Sequence, residues 1–192
     1  MNYNNLLEAV EKYYHKNVPF SRERETYFAH VDGVRKYALI LADEYSANMQ
    51  VVEVAALLHD IGADAGKVHA LKSAEMAEEF FETIEIDNNL RGMIISAILN
   101  HSMSQSAKLL GIDVSLEDTI IRDADAISFF ENGYIMYLYS GLKMHGTLEK
   151  AKGESLIKIE GMMNKITTKL GHEIANRYRE IATSYVYNYR KS

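Results

Sequence analysis

The sequence predicts an all-α protein, and three observations support this prediction. The chain has a single proline, Pro19, among 192 residues, and proline is the strongest helix breaker. Apolar residues recur at spacings of three and four along most of the chain, which places them on one face of a helix. The alternation of apolar and polar residues that is typical of strands is absent over any useful length. We therefore expect about eight or nine helices joined by short loops.

The apolar stripes and the breaks between them give the elements in chain order. Stripes run from Tyr27 to Tyr45, from Leu90 to His101, from Leu156 to Leu170 and from Ile174 to Tyr189. Residues 120–130 are assigned to a further helix, because Ser115 is a typical N-cap and is followed by the acids Glu117 and Asp118. Breaks are expected at residues 18–21, 46–50, 62–66, 86–88 and 110–115 and near Gly133, Gly146 and Gly171. No composition shift marks a linker, so residues 1–192 are predicted to form one domain.

Composition and charge exclude several classes of site. The chain has no cysteine, which rules out disulfides, thiolate zinc sites, iron–sulfur clusters and thiol nucleophiles. The formal net charge is −6, so the chain as a whole lacks the basic character of a nucleic-acid-binding protein. Any site for phosphate therefore needs local arginine, lysine or metal.

The N-terminal segment lacks the charged and apolar regions of a signal peptide. No apolar run approaches the 18 or so residues that a membrane span needs. We expect a soluble cytoplasmic protein with no membrane or nucleic-acid partner, and leave open whether it forms a homodimer.

Histidine and aspartate recur where apolar side chains are expected. His30 shares an apolar helix face, the pair His59-Asp60 ends the apolar run 51–58, and His101 ends another stripe. Asp123 and Asp125 lie in a mostly apolar helix. Any one of them is ordinary in a core, but buried carboxylates are costly unless paired or bound to metal. Together they favour a metal site, since imidazole and carboxylate suit Zn, Mn, Fe, Co or Ni where thiolate is missing.

The same residues carry a family resemblance. His30, then His59-Asp60, then Asp125 resembles the H…HD…D signature of the HD superfamily of metal-dependent phosphohydrolases. Residues 57–62 read LLHDIG, which is similar to the HDIG segment of that family, and the resemblance covers about residues 27–130. It implies a helical HD-type bundle, with the helices of residues 131–192 packed on the motif-bearing core.

The resemblance also implies a ligand set. It gives Asp125 as the last ligand and leaves Asp123 to orient a ligand or water, although the reverse assignment stays open. His69 and His101 look like the third and fourth histidines of the longer pattern H…HD…H…H…D, in which Asp60 bridges two ions. Alternatively, both histidines line a one-metal site and bond the phosphate. The cofactor is thus one or two divalent ions, from Mn, Fe, Co, Ni, Zn or Mg.

A mechanism follows from this chemistry. A divalent ion lowers the pKa of a bound water toward about 7 and neutralises phosphate oxygens during in-line attack. Asp60 is the catalytic ligand, Lys67, Lys72 and Arg122 are candidate phosphate partners, and Lys72 is given a catalytic role. Asp64 is a candidate proton shuttle.

The substrate class rests on the resemblance alone. It implies a small phosphomonoester or phosphodiester, of nucleotide type, and Tyr134, Tyr137 and Tyr139 either stack on a base or belong to the core. The competing hypotheses are a di-iron HD-type oxygenase, a non-catalytic ligand-binding HD module and a purely structural helical domain.

Overall fold

The computed structural model describes residues 2–102 and 114–190, and this part of the chain contains nine α-helices and no strand. The all-α prediction is therefore confirmed. The helices are α1 (Tyr3–Lys16), α2 (Arg24–Tyr45), α3 (Met49–Leu58), α4 (His69–Phe81), α5 (Asn88–Asn100), α6 (Leu116–Ser128), α7 (Tyr134–His145), α8 (Leu148–Lys165) and α9 (Lys169–Asn188). A 3₁₀ helix, Ala63–Val68, leads from α3 into α4, and a π-helical turn, Phe129–Gly133, joins α6 to α7.

Most of the predicted breaks lie between helices, and two are placed differently by the structure. Near Gly133 there is no loop, because the π-helical turn carries α6 directly into α7. The last break lies at residues 166–168, before Gly171, which belongs to the first turn of α9. The break at 110–115 falls mainly in residues 103–113, outside the described residues. Its last residue, Ser115, caps α6 as predicted, in a capping box with Asp118.

Helix α3 is buried along most of its length and fixes the position of the motif that follows it. Every residue from Val51 to Leu58 is buried. Burying a side chain such as valine or leucine contributes about 1.5–3 kcal/mol, so the end of this helix is held firmly in the core. The cluster of buried apolar residues draws on all nine α-helices.

Helices α2 and α6 approach closely at Gly33. A Cβ atom at this position would lie 2.7 Å from Ser128 Oγ, so a larger residue would require the Ser128 side chain to move. The contact brings His30, one turn before Gly33, to the face of α6 that carries Asp125. None of the described helices is long and apolar enough to cross a membrane.

Candidate metal centre and its cavity

The pair His59-Asp60 lies where the backbone turns out of α3. His59 is the C-cap residue, and both side chains are buried. Gly62, two residues later, lets the chain pass against the backbone of α4, since a Cβ there would lie 2.5 Å from Ser73 N. The Gly62 N–H donates to Ser73 Oγ at 3.0 Å, which ties the motif to the helix that begins with His69.

Three histidines are oriented in the same way. The Nδ1 atoms of His59, His69 and His101 lie 2.8, 2.9 and 2.6 Å from the carbonyl oxygens three residues before them. A carbonyl oxygen only accepts, so each Nδ1 carries the proton, and the neutral ring presents a lone pair on Nε2. This is the tautomer that binds a metal through Nε2.

The Nε2 atoms then meet in pairs. His30 and His59 bring theirs to 3.2 Å, and His69 and His101 to 3.1 Å. In the pair His69–His101 two lone pairs face each other, and at this distance they repel unless a cation lies beside both. Two ligands of one ion, each about 2.0–2.1 Å from it, are separated by about 2.8–3.4 Å at octahedral or tetrahedral angles. The distance within each pair therefore fits two histidines that bind the same divalent ion, one ion for each pair.

Asp60 lies between the two histidine pairs. Its Oδ2 is 3.8 Å from His30 Nε2, and its Oδ1 is 3.6 Å from His69 Nε2 and 3.9 Å from His101 Nε2. The ligand atoms of His30, His59 and Asp60 lie within 4.8 Å of one another, and so do those of Asp60, His69 and His101. The carboxylate can therefore serve an ion on each side.

The two aspartates of α6 have different surroundings. Asp125 Oδ1 lies 3.6 Å from His30 Nε2, and its Oδ2 lies 3.4 Å from Lys165 Nζ. Asp123 is fully buried and accepts the N–H groups of Thr167 and Thr168 at 2.9 and 2.7 Å. Asp123 thus anchors the start of α9 instead of orienting a ligand, and the geometry favours Asp125 as the last ligand.

The charge state of the cluster at neutral pH also suits a cation. Burial lowers the pKa of His101 to about 4, and burial together with the neighbouring His59 lowers the pKa of His30. Burial alone would raise the pKa of Asp125, but Lys165 and then the histidines hold it well below its usual range. At neutral pH, His30 and His101 are therefore neutral and Asp125 is ionised.

The cluster opens into a cavity of about 580 Å³, a volume in the range of small-molecule sites. Phe129 and Tyr137 lie on its wall with ring centroids 6.4 Å apart. Lys158 Nζ lies 5.9 and 6.0 Å from the centroids of these two rings. Among the described residues, the cations that line the cavity are Arg22, Lys158 and Lys165.

The predicted phosphate partners lie elsewhere. Lys67 and Lys72 are exposed and do not line this cavity, and Lys72 pairs with Glu75 at 3.1 Å on the surface of α4. Arg122 is buried and donates to Thr167 Oγ1 at 2.6 Å, on the side of α6 that carries Asp123. Arg122 does not line the cavity, so its closeness in sequence to Asp125, which does, fails to make it a phosphate partner.

Of Asp64 and the three tyrosines that were also predicted for the site, only one tyrosine lines the cavity. Asp64 is exposed and accepts the N–H groups of Phe20 and Ser21 at 3.0 and 2.9 Å, so it fixes the α1–α2 loop and does not line the cavity. Among the three tyrosines, Tyr137 lines the cavity. Tyr134 is buried against Tyr185, and Tyr139 contacts Tyr189.

The prediction missed Lys158 and Lys165 as residues of the cavity, although their spacing in the sequence is a signal that could have found them. Lys158, Met162 and Lys165 stand at positions i, i+4 and i+7, so they share one face of α8, and all three line the cavity. That face lies beside the apolar stripe by which the helix was predicted. Arg22 lies in the loop before α2 and is exposed.

Comparison with known proteins decides the family. Residues 27–129 match the model of the HD domain. The chain belongs to the HD domain family. Membership implies a divalent-metal site and indicates a metal-dependent hydrolase, in agreement with the His/Asp cluster. No curated protein sequence matches this HD protein.

Three solved structures share the fold. The Lin1889 protein from Listeria innocua has a TM-score of 0.71 at 17% identity, covering 97% of this chain and 94% of its own. A predicted HD superfamily hydrolase from an uncultured Thermotogales bacterium has a TM-score of 0.62 at 19% identity, with coverages of 96% and 88%. Bacillus subtilis YpgQ in complex with ADP has a TM-score of 0.67 at 16% identity, with coverages of 97% and 94%. At these identities the similarity is one of fold.

Proposed function

We propose that this HD protein is a metal-dependent phosphohydrolase that hydrolyses a phosphomonoester or phosphodiester of nucleotide type. One observation carries the proposal: a single cavity is lined by His30, His69 and His101 of the two histidine pairs, by the shared Asp60 and by three cations of the described residues. In a chain of net charge −6, this is a place where an anionic ester meets positive side chains beside a metal-binding cluster.

The ligand roles follow the geometry. His30, His59, Asp60 and Asp125 would hold one divalent ion, and His69 and His101 would hold a second that shares Asp60. Divalent ions in such sites supply Lewis acidity and a hydroxide nucleophile at neutral pH. The backbone carbonyls that bind Nδ1 keep three of the imidazoles oriented without further rearrangement.

The other residues of the cavity would bind the ester. Lys165 lies beside Asp125 and is positioned to neutralise phosphate oxygens near the ions. Phe129 and Tyr137 offer flat apolar surface for a base, which supports a nucleotide-type substrate. The ADP bound to Bacillus subtilis YpgQ, a protein of the same fold, supports the same class of ligand.

The test combines metal analysis with phosphate release. We expect the purified chain to contain divalent metal and to release phosphate from members of a nucleotide panel with Mn, Co, Ni, Mg or Fe. Asp60→Asn removes the shared carboxylate charge and should abolish both metal binding and turnover while leaving the helical content intact. Asp43→Asn, the same change at an exposed position, is the matched control and should match the wild type.

Three results would contradict the proposal. Full turnover by Asp60→Asn would show that the site is wrongly assigned. Oxygen uptake that depends on iron, with no phosphate released from any ester, would favour a di-iron oxygenase instead. Nucleotide binding with no turnover under any of the five metals would favour a non-catalytic binding module.

The number of ions is tested separately. Because the two oxygens of Asp60 face different histidine pairs, we propose two ions per chain. His69→Gln should then lower the metal content from two ions to one, and His172→Gln, a histidine outside the cavity lining, should not change it. A wild-type content of one ion would leave His69 and His101 as phosphate-binding residues.

A further inference from the structure

We propose that Glu131 recognises the sugar hydroxyls of the substrate; this inference rests on the proposed function, because it takes the substrate to be a nucleotide. Glu131 lies in the π-helical turn between α6 and α7 and lines the cavity together with Phe129 and Gly133. Short π-helical turns are frequent at functional sites.

The position of Glu131 separates it from the metal-binding residues. It follows Asp125 by six residues, which corresponds to roughly 9 Å along a helix axis. Glu131 belongs to neither of the two metal-binding groups among the described residues. It is therefore the one carboxylate of the described cavity lining to which the proposed metal site gives no role.

The hydrogen bonds of Glu131 fix one oxygen and leave the other open. Oε1 accepts from Lys36 Nζ at 2.6 Å and from Tyr37 OH at 2.5 Å. A carboxylate oxygen has two lone pairs, so Oε1 is fully used. Within residues 2–102 and 114–190, no donor binds Oε2. Burial alone would raise the pKa of Glu131, but the bonds from Lys36 and Tyr37 hold it below its usual range, so the group is ionised at neutral pH.

An ionised carboxylate oxygen accepts hydrogen bonds and cannot donate them, so Oε2 selects for a ligand that carries donors. The two lone pairs of Oε2 suit two neighbouring hydroxyls, as in the vicinal diol of ribose. The rings of Phe129 and Tyr137 belong to the same wall and offer a surface for the base. The ligand chemistry that fits all three residues is a nucleoside with free sugar hydroxyls.

The substitution Glu131→Gln has a defined effect on this acceptor. Lys36 and Tyr37 both donate, so they hold the amide oxygen on their side, and the amide NH₂ group then faces the position of the sugar. An acceptor is replaced by a donor with almost no change in shape. Hydrogen bonds to a charged group are strong enough that their loss weakens binding by about tenfold or more.

Isothermal titration of the metal-free full chain with adenosine and with 2′,3′-dideoxyadenosine tests the inference without turnover. We expect the wild type to bind adenosine about tenfold or more tightly than the dideoxynucleoside. Glu131→Gln should remove this difference, and Asp43→Asn should retain it. If Glu131→Gln fails to fold, Tyr37→Phe serves instead, because it removes one donor to Oε1 and should reduce the discrimination.

Three results overturn the inference: no binding of adenosine by the wild type, equal binding of the two nucleosides, or a preference that survives Glu131→Gln. A second measurement separates it from the proposed function. If no ester releases phosphate, the proposed function fails while the nucleoside titration still reports on Glu131. If ribo- and deoxyribonucleotides are hydrolysed with equal KM, the proposed function stands and the inference fails.

Discussion

Gly62→Ala is the sharpest test of how the fold positions the candidate metal centre. A Cβ at Gly62 would lie 2.5 Å from Ser73 N and 2.8 Å from the carbonyl carbon of Lys72. Both atoms belong to the backbone of α4, so no side chain can turn away to make room. Ordinary van der Waals contact begins at 3.4 Å, so α4 must move by 3.4 − 2.5 = 0.9 Å.

The cost of this movement has two parts. Overpacking a tight contact costs about 1–3 kcal/mol, and losing the bond from Gly62 N–H to Ser73 Oγ costs about 1 kcal/mol. The sum is about 2–4 kcal/mol, a large part of the 5–15 kcal/mol that stabilises a typical domain. In urea, with a slope of about 1–3 kcal/mol/M, the unfolding midpoint should fall by roughly 1 M or more.

The same movement acts on the metal centre. His69 is the first residue of α4, and its Nε2 lies 3.6 Å from Asp60 Oδ1. A displacement of about 1 Å is large against ligand distances of about 2.0–2.2 Å, so the metal affinity should fall by about 10–100-fold. Urea unfolding followed by circular dichroism measures the first effect, and metal titration measures the second.

Gly153→Ala is the matched control. A Cβ at Gly153, inside α8, would meet nothing within 4 Å, so alanine should leave metal binding unchanged and stabilise the chain by about 0.5–1 kcal/mol. An unchanged urea midpoint and metal affinity for Gly62→Ala would refute the argument that this contact sets the position of His69.

Three further predictions test the assignments within the site. Asp123→Asn should lower the free energy of unfolding by about 2–4 kcal/mol, since the buried carboxylate accepts two N–H groups at the start of α9. Urea unfolding with metal analysis checks this, and metal content should fall for Asp125→Asn but not for Asp123→Asn. In the metal-free chain, burial lowers the pKa of His101 from 6.5 to about 4, so between these values the unfolded chain binds a proton that the folded chain does not. The free energy of unfolding should therefore fall by up to about 3 kcal/mol from pH 6.5 to 4, and urea midpoints that do not change with pH in the presence of a chelator would contradict this. Lys165→Met should raise KM for a phosphate ester by about tenfold, as expected on losing one charge-assisted bond, whereas the exposed Lys72→Met should leave KM unchanged in the same phosphate-release assay.

The fold and the ligand cluster could be predicted because their signals are local in sequence. A nearly unbroken apolar run predicts helix α3, and His59-Asp60 follows at its end. Ser115, as a typical N-cap residue, predicts the start of the helix that carries Asp125. Each motif is contiguous, and the helical period fixes which residues share a face. Gly133 is the exception, because the π-helical turn that it ends preserves helical continuity where a glycine alone favours a break.

The cations that line the cavity could not be predicted in this way. Lys67 and Lys72 are close to the HDIG segment in sequence, yet Lys67 in the 3₁₀ helix and Lys72 in α4 are both exposed to solvent. Lys165 is 40 residues from Asp125 and reaches it because the end of α8 lies against α6, where Asp123 also holds the start of α9. Which helices pack together decides this contact, and the periodicity of one helix carries no such information.

The charge of the cavity bears on how this acidic chain would bind the anionic ester that we propose as its substrate. Charges farther away than the Debye length, about 8 Å at physiological ionic strength, are largely screened, so the local balance matters more than the net charge of −6. Six charged side chains are among the described residues that line the cavity: Arg22, Lys158, Lys165, Asp60, Asp125 and Glu131. Their formal charges sum to 3 − 3 = 0 when the histidines are neutral.

Each bound divalent ion makes the cavity more positive by two, so attraction of phosphate depends on the metal, whereas binding of an uncharged nucleoside at Glu131 does not. Removing the metal should therefore weaken nucleotide binding far more than adenosine binding, which is why the titration of Glu131 uses a nucleoside and the metal-free chain.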